Sequence, residues 1–213
     1  RDYALGLWNR SMMNLARVSK NAVTKVDSDQ GTMVSDMHPG DLAGDISEVC
    51  GKAADFCRDY AEISFRGYEQ PLYDPGAVKR IILNLISYCI SRSSLKFPRL
   101  SIVSELKNGS MVVTFSLGGD GSRTFFGVEG TGGADSMEID IAVILAKMLK
   151  GSIVVTERKG GSLCRLTLPI VKADGYRGSL SSTIIDWYGG MDMVATELSW
   201  VMPPEAYTVS RLS

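Results

Sequence analysis

The stretch from Asp74 to Arg92, DPGAVKRIILNLISYCISR, decides how the chain folds. Asp-Pro-Gly is a turn that opens a helix, and Pro75 falls in the first helical turn, where a backbone N–H has no use. Val78, Ile81, Ile82, Leu85, Ile86, Cys89 and Ile90 then recur at spacings of three and four. That period makes one broad apolar helical face. Asn84 interrupts the pattern. A mid-helix amide is a poor helix former and is costly to bury without partners.

Working outward, Ala61 to Arg66 reads as a strand before this helix, with Ile63 and Phe65 alternating against polar neighbours. Two strands follow the helix. Leu100 to Leu106 and Met111 to Leu117 flank Asn108-Gly109, a strong hairpin turn signal. Residues 118 to 133 hold seven glycines in sixteen positions and read as a loop. Ser136 to Leu149 reads as a helix with Met137, Ile141, Ile144, Leu145 and Met148 inward, stopped at Gly151. Ile153 to Thr156 and Leu163 to Leu168 form a second hairpin.

Upstream, residues 4 to 26 form a helix with Leu5, Trp8, Met12, Leu15, Ala16 and Val23 roughly on one side, ended by 27 to 31. Thr32 to Met37 reads as a short strand and His38-Pro-Gly as a turn. Asp41 caps a helix to about Tyr60, with Leu42, Ile46, Val49, Ala53 and Phe56 inward. Downstream, Val194 to Met202 alternates, so residues 172 to 213 read as extra strands on the sheet edge or as a partner-binding tail. Helices and antiparallel strands are segregated, which predicts an α+β two-layer sandwich, a mixed sheet with helices on one face.

The totals fit that fold. The chain has 213 residues, enough for one domain of about 150 plus extras. Its net charge of −1 gives no footprint for nucleic acid or an anionic membrane. No apolar run approaches the roughly 20 residues of a spanning helix. The chain begins at Arg1 without a signal-peptide pattern, and is read as a piece of something longer. Cys50, Cys57, Cys89 and Cys164 form no C-x-x-C and read as small core residues of a reducing compartment. A single histidine, His38, argues against an ordinary metal centre and against Ser-His-Asp catalysis.

Over about residues 33 to 170 the sequence resembles the catalytic ATP-binding domain of sensor histidine kinases, in the GHKL ATPase superfamily. Asp74 to Ile86 looks like the family's Asp-Pro turn followed by its N-box helix. Met148 to Glu157 and Gly160 to Pro169 resemble its closing strand, Gly-rich turn and strand ending in Leu-Pro. The resemblance implies the fold named above. It also implies that residues 1–30 are the end of a dimerisation hairpin and 31–171 an ATPase-like domain, with 172–213 an extension. The family's phosphoacceptor histidine would lie upstream; His38 sits in a different element.

The resemblance implies Mg-ATP as cofactor. It places Asn84 on the nucleotide and the metal, and Gly119, Gly121, Gly130 and Gly132 in the nucleotide loops. Several positions depart from the pattern. The second N-box amide is Tyr88, whose ring could instead fill the nucleotide space, and the cation that follows is absent unless Arg92 serves. The adenine-binding Asp position is Leu117, with Asp120 between the glycines. Lid glycines fall upstream of Ala134, Ser136 and Glu138, and Glu138 would repel phosphate. A core polar residue bonded to backbone is an equal reading of Asn84. The expectation is therefore the cytoplasmic kinase portion of a two-component sensor, a homodimer facing a response regulator, with a degenerate ATP site. The alternative is an inactive pseudokinase scaffold.

Overall fold

The computed structural model describes residues 2–39, 42–66, 72–93, 95–118, 136–158, 161–170, 188 and 190–212. Its elements are α1 (Asp2–Gln30), β1 (His38–Pro39), α2 (Leu42–Cys57), β2 (Glu62–Arg66), β3 (Leu72–Tyr73), α3 (Pro75–Ser91), β4 (Arg99–Lys107) and β5 (Ser110–Gly118). After these come α4 (Met137–Met148), β6 (Ser152–Arg158), β7 (Gly161–Pro169), α5 (Met193–Glu197), a 3-10 turn at Pro204–Tyr207 and α6 (Val209–Leu212).

The sheet order is β2-β4-β5-β7-β6. β2 runs parallel to β4 and the other pairs are antiparallel, so the sheet is mixed, as expected. Asn108 and Gly109 both take positive φ, 51° and 74°, as a two-residue primed turn requires. Along β4, Leu100, Ile102 and Ser104 are buried while Arg99, Ser101 and Val103 face outward. One sheet face is thus covered by helices and the other is open, the α+β sandwich anticipated from the element order.

α3 is the centre of the core. The Asp74 carboxylate accepts from the Ala77 N–H at 2.9 Å and caps the helix. Its second oxygen accepts from the Asp36 N–H at 2.8 Å, which ties the preceding coil to the cap. The anticipated apolar face is inside, but so are Leu83, Asn84, Ser87 and Tyr88 on the other sides. The helix is enclosed because α2 and α4 flank it, the sheet underlies it, and α1 with α5 closes the remaining side.

Three expectations need correction. Thr32 to Met37 is not a strand; the short pairing is His38–Pro39 against Leu72–Tyr73. Lys150, at φ 58°, is the left-handed residue that ends α4, not Gly151. Gly151 is required for another reason: a Cβ there would lie 2.5 Å from the Thr167 carbonyl oxygen. Val194 to Met202 is not a strand. Asp192 accepts from the Ala195 N–H at 2.8 Å and caps the short helix α5, and Pro203 and Pro204 bend the chain into the 3-10 turn. The described part of the C-terminal extension packs as helices and turns against α1, not as extra strands on the sheet.

α1 is present and longer than expected, and its polar side is the buried one. Gly6, Met13, Arg17, Lys20, Asn21 and Thr24 face inward. Leu5, Trp8, Met12 and Leu15 face solvent, Trp8 with 67% exposure. Gly6 lets α1 approach the 3-10 turn; a Cβ there would meet the Pro204 oxygen at 2.3 Å. Asn9 and Arg10 donate to the carbonyls of Tyr207, Ser199 and Trp200.

All four cysteines are buried free thiols, and Cys89 Sγ lies 3.8 Å from Cys164 Sγ. Burial pushes the Cys50 and Cys57 thiols up to about 12 from an ordinary value of 9.0. Burial also raises Tyr207, whose hydroxyl donates to the Ala195 carbonyl at 3.0 Å. These groups favour the protonated state in the fold, so their contribution is whole below pH about 9 and disappears as pH climbs toward 12. Thermal midpoints recorded between pH 7 and 11 should be flat to about 9 and then decline. Asp74→Ala should lower urea stability by about 1–2 kcal/mol through loss of the cap.

Candidate functional site

Asn84 lies at the middle of α3 and is fully buried. Its Nδ2 donates to the Arg80 carbonyl at 2.9 Å and to Glu197 Oε2 at 3.2 Å. Its Oδ1 accepts from Arg17 Nη2 at 3.4 Å. Both ends of the amide are therefore engaged within the chain. Burying this amide in an apolar helix is tolerable because its partners arrive from α1 and α5.

Arg17 is itself 0% exposed. Its Nη2 also donates to Ser87 Oγ at 3.5 Å and to Glu138 Oε1 at 3.2 Å. Its Nε lies 3.5 Å from Glu197 Oε2. Arg80 takes the other side of Glu197, with Nε 3.4 Å from Oε1, and holds α1 through Thr24 Oγ1 and Asn21 Oδ1, both at 3.0 Å. Tyr188 donates to Glu197 Oε1 at 2.8 Å, and the Lys20 ammonium sits 3.2 Å over the Tyr188 ring. Burial, then the Glu197 charge, push the Tyr188 hydroxyl above its ordinary range and keep it a donor. Two guanidinium groups thus face two carboxylates in a dry cluster, where charges must be paired and bonded to persist.

The other positions implicated by the sequence are distributed as follows. Tyr88 is fully buried, with the Arg92 guanidinium 5.5 Å from its ring centroid, so Arg92 stacks on the tyrosine. Leu117 is part of the core. Glu138 is neither exposed nor unpaired: Ser136 Oγ donates to its Oε2 at 2.7 Å and Arg17 holds Oε1. Gly119, Gly121, Gly130 and Gly132, with Asp120 and Ala134, lie outside the described residues. Among the described residues no three His, Cys, Asp or Glu side chains converge as a metal site. A cleft of about 240 Å³ lies where α1 meets the C-terminal segment, lined by Arg10, Ser11, Asn14 and Trp200.

Arg17, Arg80, Ser87, Tyr188 and Glu197 were not singled out in the sequence. One signal for the first existed: Arg17, Lys20, Asn21 and Thr24 recur at spacings of three, one and three on the side of α1 opposite its apolar residues. Glu197 carried no such signal, because its partners Asn84 and Arg17 are 113 and 180 positions away.

No protein-family model matches the chain. No curated protein matches it either. Solved structures do match. The Acinetobacter baumannii histidine kinase AdeS aligns at 14% identity over 72% of this chain and 77% of that one, with a TM-score of 0.56. Full-length ShkA in complex with AMPPNP aligns at 13% identity with a TM-score of 0.59, over 81% of this chain. The chain spans 43% of ShkA. A nucleotide-free catalytic domain of histidine kinase ThkA aligns at 17% identity with a TM-score of 0.50, over 63% of this chain and 96% of that one.

The chain has the histidine kinase ATPase fold.

Within that fold Asn84 is where the resemblance puts the amide for Mg-ATP, and the residues gathered around it do not fit such a ligand. The amide oxygen already accepts from a guanidinium, its nitrogen donates to Glu197, and Glu138 and Glu197 place negative charge beside it. The described part of this histidine kinase ATPase fold has closed on itself at that point, through α1 and α5.

Removing one member of the cluster leaves opposite charges buried alone. Glu197→Ala should cost about 3–5 kcal/mol in urea unfolding, because Arg17 and Arg80 lose their shared carboxylate. Glu48→Ala, at the exposed pair with Lys52, should change the same measurement by less than about 1 kcal/mol.

Proposed function

We propose that this chain is the kinase-like portion of a two-component sensor protein, acting as a pseudokinase: a dimeric interaction module, not an ATP-consuming enzyme. The observation that carries the reading is the full engagement of the Asn84 amide by Arg17, Arg80 and Glu197. The fold supports a kinase-type origin, while Tyr88 and Leu117 support loss of the nucleotide. Both are buried side chains in positions where the family has polar contacts to ATP.

The outward face of α1 supports a dimer. Leu5, Trp8, Met12, Leu15, Ala22 and Val26 follow an alternating spacing of three and four, broken only by Ser19, and all are exposed. That is the seam pattern of a coiled coil or helix bundle. A second copy would cover it, and a response regulator or another signalling domain is the partner class for the assembled module. No described helix is long and apolar enough to cross a membrane; a cytoplasmic location is part of the proposal.

Thermal melting with Mg-ATP or Mg-ADP tests the first half. A ligand that binds only the native state must raise the midpoint with its concentration. The expected result is no shift at millimolar nucleotide; a rise that Asn84→Ala abolishes would return the chain to the ATP-binding kinases. Sedimentation velocity tests the second half. Wild type should sediment as a dimer, and Leu15→Glu as a folded monomer with an unchanged circular dichroism spectrum. A monomeric wild type overturns the dimer.

A further inference from the structure

Arg17 has an uneven set of contacts. Asn84 Oδ1, Ser87 Oγ and Glu138 Oε1 all lie within 3.5 Å of one nitrogen, Nη2. A fourth oxygen, Glu197 Oε2, is 3.5 Å from Nε. Meanwhile Nη1, buried, has no hydrogen-bond partner among the described residues, and Nε has only the 3.5 Å ion pair with Glu197. A guanidinium suits planar, forked acceptors that engage several of its five N–H groups. Here three oxygens from two helices converge on the single nitrogen Nη2, so the contacts are concentrated on one point of the fork. Convergence of neutral and anionic oxygens on a point is what a compact hard cation selects. The set contains two carboxylates, an amide oxygen and a hydroxyl, with no sulfur or imidazole, so it belongs to the oxygen-ligand class of Mg²⁺, Mn²⁺ and Ca²⁺.

We propose that Arg17 is a built-in substitute for a divalent cation, and that docking of α1 and binding of a cation to the Asn84, Ser87, Glu138 and Glu197 oxygens exclude each other. The inference rests on the reading that Asn84 is withdrawn from nucleotide, and adds what has replaced the nucleotide's metal. The substitution is charge-consistent. Arg17 and Arg80 together neutralise Glu138 and Glu197, so no external ion is needed while α1 is docked. The α1 contact is also of a kind that can release. Met13 is the only apolar side chain among its buried residues, and the rest are Arg17, Lys20, Asn21, Thr24 and Gly6. Polar contacts of this type between parts of a chain permit relative motion more readily than apolar ones. A cation that binds only the undocked form must weaken docking by the same factor by which docking weakens the cation.

The probe is Mn²⁺ without nucleotide, and the readout is the thermal midpoint of the full chain. Wild type should be indifferent to millimolar Mn²⁺. Arg17→Met should melt lower in EDTA and recover a saturable, Mn²⁺-dependent rise of several degrees. Glu138→Gln in that background should remove the rise. Arg17→Gln, neutral but able to hydrogen-bond, is the second variant; if Arg17→Met is unfolded in EDTA, Arg17→Gln carries the same titration. The proposal is overturned if the folded variant is as indifferent as wild type, if Glu138→Gln leaves the rise intact, or if wild type itself shows it. These outcomes are separate from the nucleotide test: Mg-ATP stabilising wild type would sink the pseudokinase reading, whereas indifference of the Arg17 variants to Mn²⁺ alone sinks this one.

Discussion

A guanidinium with no contact to water is the constraint on which the assembly of this molecule depends. Arg17 is always charged, and an unpaired buried charge costs several kcal/mol even after relaxation. It must therefore be met by acceptors wherever α1 docks. Glu138 answers from the first turn of α4 and Glu197 from the end of α5. Glu197 in turn needs Arg80 on its other oxygen, with Tyr188 and Asn84 as donors. One side chain thereby obliges four helices and the C-terminal segment to meet at the middle of α3. Such a cluster adds little net stability compared with an apolar packing of equal volume. What it adds is selectivity for one arrangement, since every member left unmatched is penalised.

The sandwich itself was open to reading because its signals are local. The Asp74 cap, the period of α3, the Asn108-Gly109 turn and the alternation of β4 each involve residues within a few positions of one another. The C-terminal segment misled for a comparable reason. Val194, Thr196, Leu198 and Met202 are buried and separated by two or four, as in a strand, yet the Asp192 cap starts a helix that hides both sides of residues 194–199. Alternation predicts a strand only where one side stays exposed. The apolar side of α1 was visible in the sequence, but that it faces solvent while Arg17, Lys20, Asn21 and Thr24 face inward was not.

The candidate site was half legible. Asn84 stood out as an unusual residue in α3, and its family position was recognisable from the flanking scaffold. That its amide would also be engaged by Arg17 and Glu197 was not, because both lie far away in sequence and on elements outside the region of resemblance. Tyr88 and Leu117 were legible as departures from a pattern, and both are buried.

The two faces of α1 then explain one another. An apolar seam can slide or rotate by small steps without a large penalty, because one hydrophobic contact replaces another. A helix held only by Leu5, Trp8, Met12 and Leu15 would thus have a poorly fixed rotation about its axis. The inner face removes that freedom. A slip of one residue turns the helix by about 100° and would bring Ala16 or Val18 toward Glu138 and Glu197. Glu138 would then be buried without its cation, and Glu197 would keep Arg80 alone, which makes the slip costly. The polar face thus fixes the rotation that the apolar face leaves open, and any turn of α1 must first break the contacts of Arg17 with α3, α4 and α5.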